Sequence, residues 1–266
     1  MNDFAQRFAR RPEFVIPWST RPGIVFRVQQ AERVRHPYDV IGRLGWKRAL
    51  DVALSLGGLM LTAPAMALAA LIIKGTSPGP VFYRQERIGI NRRNRDRRGL
   101  GARNDADRRR RDRRVLVNFG RPFTIYKFRT MVVDAERGTP PMWAKERDPR
   151  ITGVGRVLRK TRIDEVPQFL NVLRGEMSLV GPRPERAYFI GRIEKDLPEF
   201  QLRLRTKPGI TGLAQVRGWR GETDTLEKMQ RRVECDHEYI REWSLWLDCQ
   251  ILFRTIFVVL KPQNAY

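Results

Sequence analysis

From Val52 to Ile73 the chain runs 22 residues without a charged side chain. As a helix this segment would measure about 33 Å, enough to cross the hydrocarbon core of a bilayer. Pro64 lies near its middle, where it removes a helical hydrogen bond and favours a bend. Cations flank both sides: Lys47 and Arg48 before, then Lys74, Arg84 and Arg87 after. A single crossing usually carries its excess of cations on one side only. Symmetric cations and a central proline therefore predict a re-entrant helix over 46–75 that returns to the side it entered. Backbone groups freed at such a bend must be satisfied locally. A Pro-kinked spanning helix and a buried core helix are the other readings the segment allows.

The remainder of the 266 residues can hold one sizeable domain. The net charge of +23 is uneven: Arg92–Arg114 holds 12 Arg and 4 Asp, and 1–48 holds 10 Lys/Arg and 4 Asp/Glu. So basic a chain favours anionic partners, whether nucleic acid, anionic lipid headgroups or phosphorylated substrates. The Arg/Asp tract, 92–118 at its widest, cannot build a core and is expected to be a disordered insertion. Residues 1–45 read as a poorly ordered basic lead-in, without the apolar core of a cleavable signal peptide. Cys235 and Cys249 have neither disulfide-framework nor metal-site spacing. With only His36 and His237, a histidine-built metal site or a Ser-His-Asp arrangement is not supported.

Asp164 and Glu165 follow three cations, Arg159, Lys160 and Arg162, and open a short apolar segment. Pro167 in the first turn, apolar Phe169, Leu170 and Leu173, and Gly175 as a stop predict a helix there. Both acids then sit at the positive end of the helix dipole, where anions and phosphates are also favoured. Adjacent helical side chains point about 100° apart, which suits two roles better than a shared proton. One carboxylate can act as nucleophile while the other holds a metal. Surface acids at an ordinary helix start would look the same without the surrounding motif.

Elsewhere, Val81–Tyr83 and Phe123–Phe128 read as hairpin partners, with the basic tract as their enlarged loop. Lys127 and Arg129, two apart, would share one face and meet phosphates, or would be solvated cations. A charged helix is expected over 185–205, a glycine-punctuated turn over 207–218, and a helix from about Asp224 to Trp243. In the apolar segment Trp243–Leu260, Trp246, Phe253 and Leu260 recur every seven residues. That pattern suits a helix at a membrane interface or one packed on the protein's own core. The fold class is α+β and helix-dominated.

Several blocks occur in order: Lys47–Asp51, Ser77–Gly89 (SPGPVFYRQERIG), Tyr126–Met131 (YKFRTM), Asp148–Thr152 (DPRIT), the acidic-pair block, Gly181–Pro184 and Lys207–Gly212. Together they resemble the bacterial sugar transferase family, the monotopic polyprenyl-phosphate phosphoglycosyl transferases. The resemblance covers about 46–261 apart from the basic tract. It implies an enzyme of the bacterial inner membrane, with its catalytic helices on the cytoplasmic face. The implied reaction moves a sugar phosphate from a UDP-sugar to undecaprenyl phosphate and releases UMP, starting exopolysaccharide or a related glycan. Carried over, Asp164 is the nucleophile that forms a covalent phosphosugar intermediate, Glu165 is a Mg²⁺ ligand, and Arg159 holds phosphate. Pro182, Arg183 and Pro184 match the nucleotide-binding segment, Arg220 is a looser phosphate match, and Pro64 matches the proline that breaks the membrane helix.

The departures are Ala63 for a common serine, Glu176 for Asp, Arg217 for Asn, and the basic tract. Attraction of that tract to anionic lipid would be worth about 1 kcal/mol per residue near the surface. With one apolar stretch and no multi-helix membrane part, the chain looks like the family's short exopolysaccharide-type form. A nucleic-acid-binding protein driven by the Arg tract and an inactive membrane scaffold are the alternatives from other classes. The first leaves the apolar stretch and acidic pair unexplained, so no nucleic acid is expected. The sugar and the oligomeric state are not legible.

Overall fold

The computed structural model describes residues 45–91, 119–138, 140–144, 148–220 and 225–260. The expected lead-in up to residue 44 and the Arg92–Arg114 tract lie outside them. Helices dominate, as expected, with small sheets.

The apolar stretch is one 32-residue helix, α1 (Gly45–Thr76), with Pro64 inside it. Its two ends are docked, while the middle, apart from Gly58 against Phe169 and Met66 beside the C-terminal cluster, is open. At the N-terminal end Lys47, Asp51 and Ser55, four apart and therefore on one face, are buried. Lys47 Nζ donates to Asp248 Oδ2 at 2.6 Å, and Asp248 also accepts from Tyr239 Oη at 2.8 Å and Trp243 Nε1 at 3.1 Å. Asp51 accepts from Ser178 Oγ and the Leu179 N–H at 3.1 and 3.0 Å. At the other end Ala69 and Ile73 pack with Phe128 and Leu158. Between them Met60 and Leu61 are 77 % and 84 % exposed. Lys47 and Arg48, expected as flanking cations, are tied into the protein instead. Arg48 donates to the Val172 and Leu173 carbonyls at 2.5 and 2.7 Å.

The hairpin forms as expected but is longer: β1 (Phe82–Ile88) pairs antiparallel with β2 (Pro122–Phe128), Phe82 opposite Phe128 and Tyr83 opposite Lys127. Then come α2 (Gly153–Thr161), a 3-10 helix (Ile163–Gln168) and α3 (Phe169–Leu173). β3 (Ser178–Val180) pairs parallel with β4 (Gly209–Thr211), and α4 (Ala187–Asp196) lies between them in the chain. The helix expected over 185–205 breaks at Leu197, because Pro198 starts a separate 3-10 helix, Pro198–Arg205. α5 (Leu213–Val216), α6 (Leu226–Arg241) and α7 (Leu245–Leu260) complete the order.

The parallel β3–β4 pair was not legible in advance. Each strand has three residues, and glycine is required where they cross. A Cβ on Gly209 would lie 2.1 Å from the Gly181 nitrogen, and one on Gly181 would lie 2.4 Å from the Lys207 carbonyl oxygen. This close approach sets the loops after both strands side by side.

α7 has two faces. Asp248 and Ile251 are buried, while Trp246, Phe253, Ile256, Phe257 and Leu260 are exposed. Trp243, grouped with the interfacial residues from sequence, packs inward on the core.

Candidate active site

Thr152 caps α2, its side chain accepting from the Gly155 N–H at 2.9 Å. Gly155 lets this helix lie directly on the chain after β2, since a Cβ there would be 2.0 Å from the Thr130 oxygen. Arg162 ends α2 in the left-handed region at φ 64°, and the chain re-enters as the 3-10 helix. Asp164 and Glu165 therefore occupy the first turn of a 3-10 helix, not of the α-helix expected. Gly175, at φ +77°, closes the following α3 as the sequence suggests.

Both acids are buried, 8 % and 7 % exposed, and they line a cavity of about 1010 Å³. Glu165 is the hub. Its Oε1 accepts from Lys127 Nζ at 2.8 Å and Arg183 Nη2 at 2.5 Å, while Arg220 Nη2 bonds Oε2. Three separate segments thus deliver cations to one carboxylate: β2, the loop after β3 and the turn after α5. Arg159 and Arg162 line the same cavity. Arg159 Nε is held by Thr130 Oγ1 at 2.9 Å.

Five cations around two carboxylates leave an excess of positive charge, the environment a diphosphate requires. Desolvation would raise both acids, but they diverge. Burial, reinforced by the charge of Glu165, pushes Asp164 up to about 6. Burial of Glu165 is outweighed by Arg183, Arg220 and Lys127, which hold it well below the usual carboxylate range. Burial likewise pulls Lys127, Arg159 and Arg220 down, and Arg162 to about 10. One acid is therefore a fixed counter-ion, and the other ionises near the lower edge of physiological pH.

Arg183 and Arg220 are held from behind. Arg203 Nη2 donates to the Arg183 carbonyl at 2.7 Å and pairs with Asp236 at 3.0 Å. Arg232 donates to the Trp219 and Arg220 carbonyls at 3.0 and 3.1 Å and pairs with Glu185. Arg232 and Asp236 are four apart on α6, a polar stripe facing inward. Sequence pattern alone does not single out Arg203, Arg232 or Asp236. A charged stripe on a helix usually marks a solvated face.

Four expected site residues thus converge with the acids: Arg159, Lys127, Arg183 and Arg220. Arg183, expected in the nucleotide-binding segment, bonds Glu165 alongside Lys127 and Arg220. Pro182 and Pro184 act through their carbonyls, which accept from the Gly209 N–H at 2.9 Å and Arg87 Nη1 at 3.3 Å. Arg129 lines the same cavity as Lys127, but its guanidinium is engaged away from the acids. It lies past the end of β2 and staples the turn after α1, donating to the Ser77 carbonyl at 2.9 Å, Ser77 Oγ at 2.7 Å and the Pro78 carbonyl.

Magnesium can be weighed against this donor set. Among the described residues no group of three or more His, Cys, Asp or Glu comes together to hold a metal ion. At the cation cluster the available carboxylates are Asp164 and Glu165, and both oxygens of Glu165 are already engaged. Mg²⁺ commonly takes one or two carboxylates and completes its shell with phosphate oxygens and water. The pair fits such a substrate-completed ion and not a protein-built cage.

The sequence model of the bacterial sugar transferase family matches residues 42–96 and 110–262. A UDP-glucose:undecaprenyl-phosphate glucose-1-phosphate transferase from Escherichia coli (strain K12) is 43 % identical over 230 residues, spanning 86 % of this chain and 43 % of its own length. A UDP-N-acetylgalactosamine-undecaprenyl-phosphate N-acetylgalactosaminephosphotransferase from Aeromonas hydrophila is 38 % identical over 220 residues, 82 % of this chain and 44 % of its own. An exopolysaccharide production protein, PSS, from Rhizobium leguminosarum bv. phaseoli is 37 % identical over 216 residues, 79 % of this chain and 92 % of its own. The chain therefore spans less than half the length of the first two relatives.

Proposed function

This chain belongs to the bacterial sugar transferase family, and from that premise we propose that it transfers a sugar 1-phosphate from a UDP-sugar to undecaprenyl phosphate. The observation that carries the reading is the divergence of two adjacent buried acids within one ring of cations. Glu165 gathers Lys127, Arg183 and Arg220, while Asp164 beside it is left as the ionisable carboxylate.

In the first half-reaction an Asp164 carboxylate oxygen attacks the phosphorus that bears the sugar. A P–O bond forms to Asp164, the bond to UMP breaks, and the electron pair leaves on the UMP oxygen. In the second, a phosphate oxygen of undecaprenyl phosphate attacks the same phosphorus and the Asp164 carboxylate is released. No proton need be removed from the nucleophile above about pH 6. Lys127, Arg159, Arg183 and Arg220 orient the diphosphate and offset charge that builds on the leaving oxygen. Mg²⁺, held by Glu165 with Asp164 beside it once substrate phosphates draw off the arginines, would supply further charge neutralisation. The named substrates of the relatives include both glucose and N-acetylgalactosamine donors, so the sugar is left open.

We place the reaction at the cytoplasmic face of the inner membrane, with α1 as a re-entrant anchor and the exposed apolar face of α7 at headgroup depth. Supporting the re-entrant reading, both ends of α1 dock on one body while Met60, Leu61 and Leu68 between them are exposed. Pro64 cannot donate to the Met60 carbonyl, and Thr62 Oγ1 bonds back to the Gly58 carbonyl at 2.6 Å.

Incubating the purified chain with UDP-sugar alone should release at most one UMP per active site. Intact-mass and peptide analysis should then find a sugar phosphate ester on Asp164. Multiple turnovers without acceptor and no adduct would refute covalent transfer.

The same step fixes a pH dependence. Asp164 is raised, so its nucleophilic ionised form is lost as pH falls through about 6. UMP release should fall about tenfold per pH unit below that point. Glu165, depressed well below its ordinary value, stays ionised throughout this window. A rate that stays flat from pH 7 to pH 5 would contradict the raised Asp164.

A further inference from the structure

The wall of the active-site cavity includes exposed apolar side chains that no step above uses. Phe82 is 44 % exposed, and Val132 and Val133 are each 51 % exposed. Apolar side chains left open in a catalytic cavity call for an occupant. Their position narrows the choice. Phe82 stacks on Phe128, with ring centroids 5.2 Å apart, and Phe128 packs against Ala69 and Ile73 at the C-terminal end of α1. Val133 abuts Gly79 in the turn that immediately follows α1, where an added Cβ would meet its Cγ2 at 2.8 Å. The rim is therefore continuous with the membrane helix.

It lines the same cavity as Lys127, Asp164 and Glu165. Phe82 and Phe128 share one face of the hairpin, and the next pair, Tyr83 and Lys127, shares the other, from which Lys127 bonds Glu165. The segment carrying the valines is fixed as well. Met131 bridges Ile151, the Val132 N–H donates to the Arg150 carbonyl at 2.9 Å, and Arg129 staples the turn at Ser77 and Pro78. One wall of the cavity thus changes from apolar at the membrane helix to cationic at Asp164. That gradient matches a molecule with a hydrocarbon tail and an anionic head.

We propose that Phe82, Val132 and Val133 form the docking site for the first isoprene units of the lipid acceptor. They would guide its phosphate from the bilayer to the Asp164 adduct. The proposal rests on the transfer reaction above, and it assigns these side chains to the second half-reaction only. The UDP-sugar, which is water-soluble and carries no hydrocarbon tail, gains nothing from this rim.

The test separates the two halves in the full chain reconstituted in nanodiscs. In the Val132→Ser/Val133→Ser variant, the UMP burst from UDP-sugar alone should keep its rate and amplitude. The undecaprenyl phosphate concentration giving half-maximal transfer should rise about tenfold. Phe82→Leu, which keeps an apolar contact for Phe128, should show the same pattern more weakly. A short-chain acceptor with a single isoprene unit should lose less than the long one. Equal losses in both half-reactions, or an unchanged acceptor requirement, would overturn the proposal. So would weaker association with acceptor-free vesicles at an unchanged acceptor requirement, since the rim would then touch bulk lipid.

A second measurement does not depend on turnover. A benzophenone-bearing farnesyl phosphate should crosslink to peptides containing Phe82 or Val132–Val133, and undecaprenyl phosphate, but not phosphatidylglycerol, should compete. Crosslinks confined to α7 would exclude the rim. Rim crosslinks in a chain that releases no UMP from any UDP-sugar would support the lipid site and refute the donor chemistry.

Discussion

Asp164→Asn is expected to abolish transfer, on the order of 10⁴-fold or more, while the chain melts no earlier than the wild type. The two halves of this result come from one environment. Asn has no anionic oxygen to form the phosphosugar ester, so both half-reactions stop. Stability moves the other way because the folded state raises the pKa of Asp164 to about 6. A raised acid pKa means that folding disfavours the ionised form, so at pH 7 this carboxylate opposes folding and its neutral amide does not. Thermal unfolding in detergent, read beside the UMP burst, checks both. Residual activity within tenfold of wild type would remove Asp164 from the chemistry. A large fall in melting temperature would mean that its ionised form is a structural partner.

The second large effect is in the anchor. Asp248→Ala should destabilise the chain by about 3 kcal/mol or more, because it leaves the Lys47 ammonium buried without its carboxylate. Tyr239 Oη and Trp243 Nε1 also lose an acceptor there. Lys47→Met should cost a comparable amount by stranding the acid. The double variant Lys47→Met/Asp248→Leu should recover most of the loss, since a buried ion pair replaced by apolar side chains is often neutral. The cycle, read by denaturant unfolding in detergent, would then give a large coupling between α1 and α7. Additive losses would show that the two residues do not act as a pair.

What the chain disclosed in advance was set by local rules. A long uncharged run and the alternating apolar residues around YKFRTM each write their structure locally, while the acidic pair between cations and a proline marks its site but not its 3-10 geometry. The helix of α1, the hairpin, α6 and the meeting of Asp164 with Arg159 followed from such signals and from the family motifs.

The misreadings lie where partners are distant. Lys47 looked like a flanking cation because Asp248, its counter-ion, lies 201 residues away. Arg129 shares the cavity wall with Lys127, but its bonds to Pro78 and Ser77, 51 and 52 residues upstream, were not legible. Arg232 and Asp236 carried no local signal, because Arg203, Glu185 and the carbonyls they serve come from other elements. β3 and β4 are too short to carry a period, and their pairing depends on close backbone contact at Gly181 and Gly209.

Because α1 contributes Lys47, Asp51, Ala69 and Ile73 to the interior of the catalytic body, it cannot be treated as a detachable tether. Trimming the chain at residue 76 to obtain a water-soluble enzyme would strip a wall from the domain and expose Phe128 and Leu158. A soluble form would have to keep both ends of the helix and redesign only the surface between Leu56 and Leu68.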